Sequence, residues 1–203
     1  MFKKFLKFFM SDQYDHKKSD TELWHEFIND SQKALTTLYI RYYSQLYSYG
    51  LKLVGEKLMV EDTIQEIFLS LWKNRKQRSV VRSVKAYLFK ALRWKIIRTR
   101  ISEQNRVARN NTFAQGQSDF VLSHEEFLID GELKNEQKAL LQKALNKLSK
   151  RQQEALYLKF YHGLNYEQIA EVMQITNQTV RNYVFEALQT LRKQLQNVLI
   201  SSR

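Results

Sequence analysis

Cysteine and proline are both absent from the 203 residues, and glycine occurs only 5 times. Without cysteine there is no disulfide, no thiolate metal site and no thiol nucleophile, a composition that suits a reducing compartment and leads us to expect a cytoplasmic protein. The four histidines, His16, His25, His124 and His162, show no i, i+4 pairing, so no metal centre is expected. No glycine-rich phosphate loop, metal-ligand cluster or Ser-His-Asp arrangement is visible, so we expect no catalytic residues, no cofactor and no small-molecule substrate. Long apolar runs are also missing. The opening MFKKFLKFFM is broken by Lys7 and is too short to span a bilayer, and it reads as a frayed start or loosely packed first turn, with a weak membrane-surface contact as the alternative. With so few helix breakers, long helices and short connections are expected, which makes the fold all-α.

What the chain has in excess is positive charge. A formal net charge of +12 calls for a polyanionic partner, nucleic acid ahead of an anionic membrane. The 43% of hydrophobic residues and 13% of aromatics are ample for packed cores.

The stretch Asn165 to Leu191 reads as two helices joined by a turn at Gln174-Ile175. Asn165 with Gln168 makes an N-cap with a reciprocating amide, and Ile169, Ala170 and Met173 face inward. Thr176 caps the second helix, in which Val180, Tyr183, Val184, Ala187 and Leu191 gather on one side. The other side collects Gln178, Arg181, Asn182, Phe185, Gln189 and Arg192, next to Asn177. Amide, guanidinium and aromatic groups of this kind bond base edges or phosphates in a major groove, although a solvated helix face would look similar.

Upstream, Thr21 is placed to cap a short helix carrying Leu23, Trp24, Phe27 and Ile28. Asp30 or Ser31 caps a long helix through Val54, with Gly55 as its stop. A third helix is expected from Val60 to Arg75, burying Ile64, Ile67, Phe68, Leu71 and Trp72. Asp62, Gln65, Glu66 and Leu69 point outward from it, and Glu61, Asp62 and Glu66 suit the positive start of a helix. From Lys73 to Arg109 basic residues face the single acid Glu103. On a helix from Lys85 to Ile101, Leu88, Leu92 and Ile96 mark the buried side, and Lys90, Arg93, Trp94, Ile97, Arg98 and Ile101 the other. A tryptophan among arginines on an outward face is a platform for unstacked bases, or is covered by a second partner. Periodicity fails from Ser102 to Glu132, which reads as a flexible linker. A second helical domain follows from Leu133, with Leu140, Leu141, Ala144, Leu145 and Leu148 as its first stripe. Ser149 and Gln152 cap the next helix, which runs to His162-Gly163.

The order LYIRYYSQLYSYGLKL, VEDTIQEIFLSLW, SVKAYLFKAL, linker, then LNKLSKRQQEALYLKFYHGLNYEQIAEVMQITNQTVRNYVFEAL resembles a sigma factor of the extracytoplasmic-function group of the sigma-70 family, particularly the subfamily common in Bacteroidetes. The resemblance implies two small helical domains: residues 21–101 as the region binding core polymerase and the minus-ten element, and residues 133–203 as a helix-turn-helix four-helix bundle. Residues 1–20 would be an N-terminal extension and 102–132 the linker. It implies that Asp62, Gln65, Glu66 and Leu69 dock on the clamp of the largest catalytic subunit of RNA polymerase, with Trp72 closing the end. Lys85, Tyr87, Lys90, Arg93, Trp94 and Arg98 would lie near the melted minus-ten strand, and Asn177, Gln178, Arg181, Asn182 and Phe185 on the minus-thirty-five element of promoter DNA. The flap of the second-largest subunit and an anti-sigma factor are the remaining partners it implies. The chain departs from many members by carrying Trp94 in place of an asparagine, and Leu148-Ser149 in place of Leu-Pro. From the residues alone a helix-turn-helix regulator with an N-terminal sensor domain is the alternative, but it gives no reason for a basic, tryptophan-bearing block beside EDTIQE.

Overall fold

The computed structural model describes residues 17–108, 120 and 135–201, excepting the side chains of 103–108, 135–138 and 195–201. MFKKFLKFFM and most of 102–132 therefore lie outside the described residues. Among those described there are eight α-helices and no strand. By proximity the chain divides into two compact units, Met1–Gly116 and Gln117–Arg203.

In the first unit α1, Asp20–Ile28, begins two residues earlier than a cap at Thr21 would set it. Ser19 is the cap: its hydroxyl accepts from Glu22 N–H at 3.3 Å, and the Glu22 carboxylate accepts from Ser19 N–H at 2.7 Å. A cap at Thr21 would put Trp24 three residues on, with no carboxylate to reciprocate. Leu23, Trp24 and Phe27 are buried, and the Trp24 indole donates to the Ser79 carbonyl at 3.1 Å. Asp30, at φ 73°, turns the chain into α2, Gln32–Val54, which Ser31 caps and Gly55 ends at φ 74°. Gly50 lets the next helix close in, because a Cβ there would lie 2.6 Å from Val60 Cγ1.

That next helix, α3, spans Lys57–Lys73 and starts before the expected Val60. Its first turn holds no acid, so Glu61, Asp62 and Glu66 are not helix-start charges. The macrodipole fades within a turn and does not account for them. A 3₁₀ turn at Arg75–Gln77 leads to α4, Val84–Ala108, which buries Val84, Leu88, Phe89, Leu92 and Ile96. The helix continues past Ser102 through the start of the expected linker. No proline or glycine interrupts that run, and each added residue gains a backbone hydrogen bond.

The second unit contains α5, Asn135–Asn146; α6, Lys150–Leu156; α7, Tyr166–Met173; and α8, Asn177–Ser201. The Ser149–Gln152 and Asn165–Gln168 capping boxes both form, with all four hydrogen bonds between 2.9 and 3.2 Å. Buried Gln153 donates to the carbonyls of Leu145 and Leu148 at 3.2 and 3.0 Å, satisfying the end of α5 from α6. Beyond Leu156 the helix widens into a π turn, Tyr157–Tyr161, where His162 N–H reaches back to Tyr157 at 3.2 Å. Gly163 then stops it at φ 66°. Phe120, which falls in the expected linker, is fully buried with its ring 5.5 Å from Tyr157. Leu164, Ile169, Val172, Val180, Val184 and Ala187 complete the core beneath the helix-turn-helix.

Candidate nucleic-acid interface

The turn between α7 and α8 is built by two local devices. Gln174 takes a left-handed φ of 55°, and the Thr176 hydroxyl accepts from Thr179 N–H at 3.1 Å. Val180, Val184 and Ala187 then face the core, with Tyr183 and Leu191 half-buried at its edge. Gln178, Arg181, Asn182, Phe185, Gln189 and Arg192 all lie exposed, and Phe185 retains 62% of its surface. Two internal pairs order this face. Gln178 donates to Asn182 at 2.9 Å, and Arg181 Nε donates to the half-buried Asn177 at 2.8 Å. The Arg181 guanidinium also sits 4.9 Å from the centroid of the Tyr166 ring.

On α4 the residues of the basic block separate. Tyr87, Lys90, Trp94, Arg98 and Ile101 repeat every three or four positions and share a line along the helix. Trp94 keeps 47% of its surface, with the Arg98 guanidinium 4.9 Å from its ring. These two, with Lys95, Thr99 and Ser102, line an open hollow of about 500 Å³. Arg93 does not face outward as expected: it is 9% exposed, because it stands one turn from Phe89 on the core-facing flank. Lys85 is also off the line. Nine residues from Trp94 is two and a half turns, so it emerges on the opposite side, half-buried, and that burial lowers its pKa. Tyr87 is partly committed to the core, edge-on to Trp24 at 5.3 Å and accepting from Arg78 at 3.0 Å.

On α3, Ile64, Ile67, Phe68 and Leu71 are buried as expected, while Asp62, Glu66 and Leu69 are exposed and Gln65 is half-exposed beside them. Trp72 is half-buried under the Arg75 guanidinium, 4.0 Å from its ring, and Arg75 is tied in turn to Asp30. Leu58, 76% exposed, extends the same stripe by one turn. It escaped notice because the helix was expected to begin after it, although its place four residues before Asp62 was visible. Glu66 forms an ion pair with Lys95, so α3 is joined to the wall of the Trp94 hollow. Beside Glu61, burial pushes the Tyr39 phenol up to about 12. The exposed pair Phe160 and Tyr161 on the π turn was also missed, its signal being the aromatic run YLKFY. Among the described residues no group of three or more histidine, cysteine or acidic side chains converges as a metal site would need, and no helix is long and apolar enough to cross a membrane.

Comparison with known proteins agrees with this arrangement of helices. The model of Sigma-70 region 2 matches residues 38–107, and that of Sigma-70 region 4 matches residues 138–191. The ECF RNA polymerase sigma factor SigL of Mycobacterium tuberculosis is 27% identical over 165 residues, covering 81% of this chain and 90% of SigL. SigK of Mycolicibacterium vanbaalenii is 24% identical over 163 residues, covering 79% of this chain and 81% of SigK. Among solved structures, the sigma factor RpoE of Bartonella quintana, in complex with the anti-sigma factor NepR, superposes with a TM-score of 0.55 at 22% identity, covering 81% of this chain and 98% of RpoE. CnrH, in complex with the cytosolic domain of CnrY, gives 0.57 at 18% identity, covering 89% and 99%. At those identities the structural likeness speaks for the fold alone. The two family models together span more than half of the sequence in the order of its two units, and the chain belongs to the sigma-70 family as an RNA polymerase sigma factor of the extracytoplasmic-function group.

Proposed function

We propose that the protein divides its work among three surfaces. The α3 stripe of Asp62, Gln65, Glu66 and Leu69, bounded by Trp72, docks on the clamp of the largest polymerase subunit. The α4 line of Tyr87, Lys90, Trp94 and Arg98 captures the melting minus-ten strand, and the α8 face of Asn177, Gln178, Arg181, Asn182 and Phe185 reads the minus-thirty-five element. Lys85 and Arg93, being turned from that line, act at most on the borders of the strand path. The functional domains are the two helical units, the first running from the Ser19 cap through α4 to Ala108 where 21–101 was expected, and the second taking in Phe120 ahead of the expected 133–203. The motif order supports a Bacteroidetes-type subfamily. An anti-sigma factor that masks these surfaces is the partner suggested by the complex of RpoE with NepR, and the flap of the second-largest subunit would meet the second domain. A cytoplasmic location follows from binding polymerase.

The observation that carries this reading is Trp94. An indole half open to water beside Arg98 costs hydrophobic free energy unless something covers it, and an unstacked base on such a ring returns about 1–3 kcal/mol against unpairing. Capture alone therefore drives opening, with no covalent chemistry. Run-off transcription with purified core polymerase tests the assignment. Leu69→Arg should abolish co-purification with core while leaving the fold intact. Trp94→Ala should co-purify normally yet show reduced permanganate reactivity of promoter thymines. Retained core binding by Leu69→Arg would remove the docking assignment, and undiminished thymine reactivity the melting one.

A further inference from the structure

Tyr166 opens α7, the helix of the pair that does not enter the groove, and its ring is half-buried. Two cations converge on it. Arg181 of α8 lies 4.9 Å from the ring centroid, and Lys159 of the π turn lies 4.8 Å from the same centroid. Two cations at that distance from one ring centroid place the phenol where it can orient both, since each is attracted by the negative face of an aromatic ring. Arg181 is held from a second direction as well, because its Nε donates to Asn177 at 2.8 Å.

The geometry points to Tyr166 as the positioning residue of the base-reading face: it holds the Arg181 guanidinium so that its Nη fork reads guanine, and steers Lys159 to a neighbouring phosphate. This rests on the proposal that α8 reads the minus-thirty-five element. The chemistry follows from what remains available. With Nε committed to Asn177, Arg181 can engage a base only end-on, through its two Nη groups. Two parallel N–H donors match O6 and N7 of guanine, the bidentate pattern that guanidinium makes in the major groove. A freely rotating arginine would lose side-chain entropy on forming that pair, and the ring and the Asn177 amide have already restricted it. Lys159 carries no planar fork and suits a phosphate, which positions the helix without reading sequence.

The test uses holoenzyme reconstituted from core polymerase and the full chain, with a promoter library randomised over the upstream element and recovered after open-complex formation. Wild type and Arg181→Ala together identify the base pair that Arg181 reads. At that pair Tyr166→Leu should lower the preference for guanine about two- to fivefold, the size of an exposed cation–π contact. Tyr166→Phe, which keeps the ring, should restore it. Lys159→Gln should weaken all sequences alike and flatten the dependence on salt. If Tyr166→Leu lowers the helical content of the chain, Tyr166→Gln takes its place. An undiminished guanine preference in the ring-less variant, with Arg181→Ala relaxed, would overturn the positioning role and leave base reading intact. An Arg181→Ala profile identical to wild type would instead overturn the base-reading assignment itself.

Discussion

The contact between Gly50 and Val60 shows how much a single hydrogen atom in place of a methyl can decide. A Cβ at residue 50 would stand 2.6 Å from Val60 Cγ1, and Val60 is fully buried and β-branched, so it has no rotamer into which to retreat. Overpacking of this kind costs about 1–3 kcal/mol, whereas replacing a helical glycine by alanine returns only about 1 kcal/mol of propensity. Gly50→Ala should therefore lower the thermal midpoint in the wild-type background. In a Val60→Ala background the same change should raise it, and two shifts of the same sign would refute the contact as its cause. Asp30 makes a different residue-level prediction. The Arg75 hydrogen bond is the largest influence and holds its carboxyl below the ordinary value of 3.8; desolvation opposes it, and the charges of Arg75 and Lys76 assist. The folded state thus favours the ionised form, so this contribution is present above the ordinary carboxyl pKa and is lost as pH falls through the depressed one. Asp30→Asn, which still tolerates the left-handed backbone, should lower the midpoint near neutral pH and flatten its fall in the acid range, with the difference shrinking as salt is added. A wild-type and variant pair whose curves stay parallel down to about pH 2 would count against the ion pair.

At the scale of the element, the caps carry the clearest signal. Asn165→Ala removes the acceptor for Gln168 N–H and should cost about 0.5–2 kcal/mol, whereas Asn165→Asp should be nearly neutral. Chemical unfolding followed by circular dichroism would measure both, and equal losses for the two would mean that capping is not what residue 165 supplies. The reciprocal pairs at Ser149 and Asn165 were legible in the sequence because both partners are fixed by spacing, and so were the left-handed stops at Gly55 and Gly163. The start of α1 was misjudged where two capping residues compete and only Ser19 has a glutamate three positions on. The start of α3 was misjudged because Glu56 caps nothing with its side chain, so no local mark announces Lys57. On α4 the apolar stripe was plain, but the polar side was treated as a single face. Arg93 belongs to its flank and Lys85 to the opposite side, and a long aliphatic stem that is buried leaves no trace in a hydropathy pattern. Phe120 and the cation pair on Tyr166 depend on tertiary approach, which no periodicity encodes.

At the scale of the whole molecule, the two units differ in a way that makes them separately observable. All three tryptophans, Trp24, Trp72 and Trp94, belong to the first unit. Tryptophan fluorescence thus follows the first unit alone, and far-ultraviolet circular dichroism follows both. Asn165→Ala should move the dichroism transition and leave the fluorescence transition in place, as two units with separate cores would behave. Coincident shifts by both probes would show that the units unfold as one. The π turn at the end of α6 has a consequence for chain length. A turn closed between Tyr157 and His162 holds one residue more than an α turn, so a residue can be lost there without rotating the helix-turn-helix beyond it. Elsewhere in that helix a single insertion or deletion would swing everything downstream by about 100°. Tyr157 to Tyr161 is thus a place where the chain can lose a residue and still present the exposed face of α8 in the same direction.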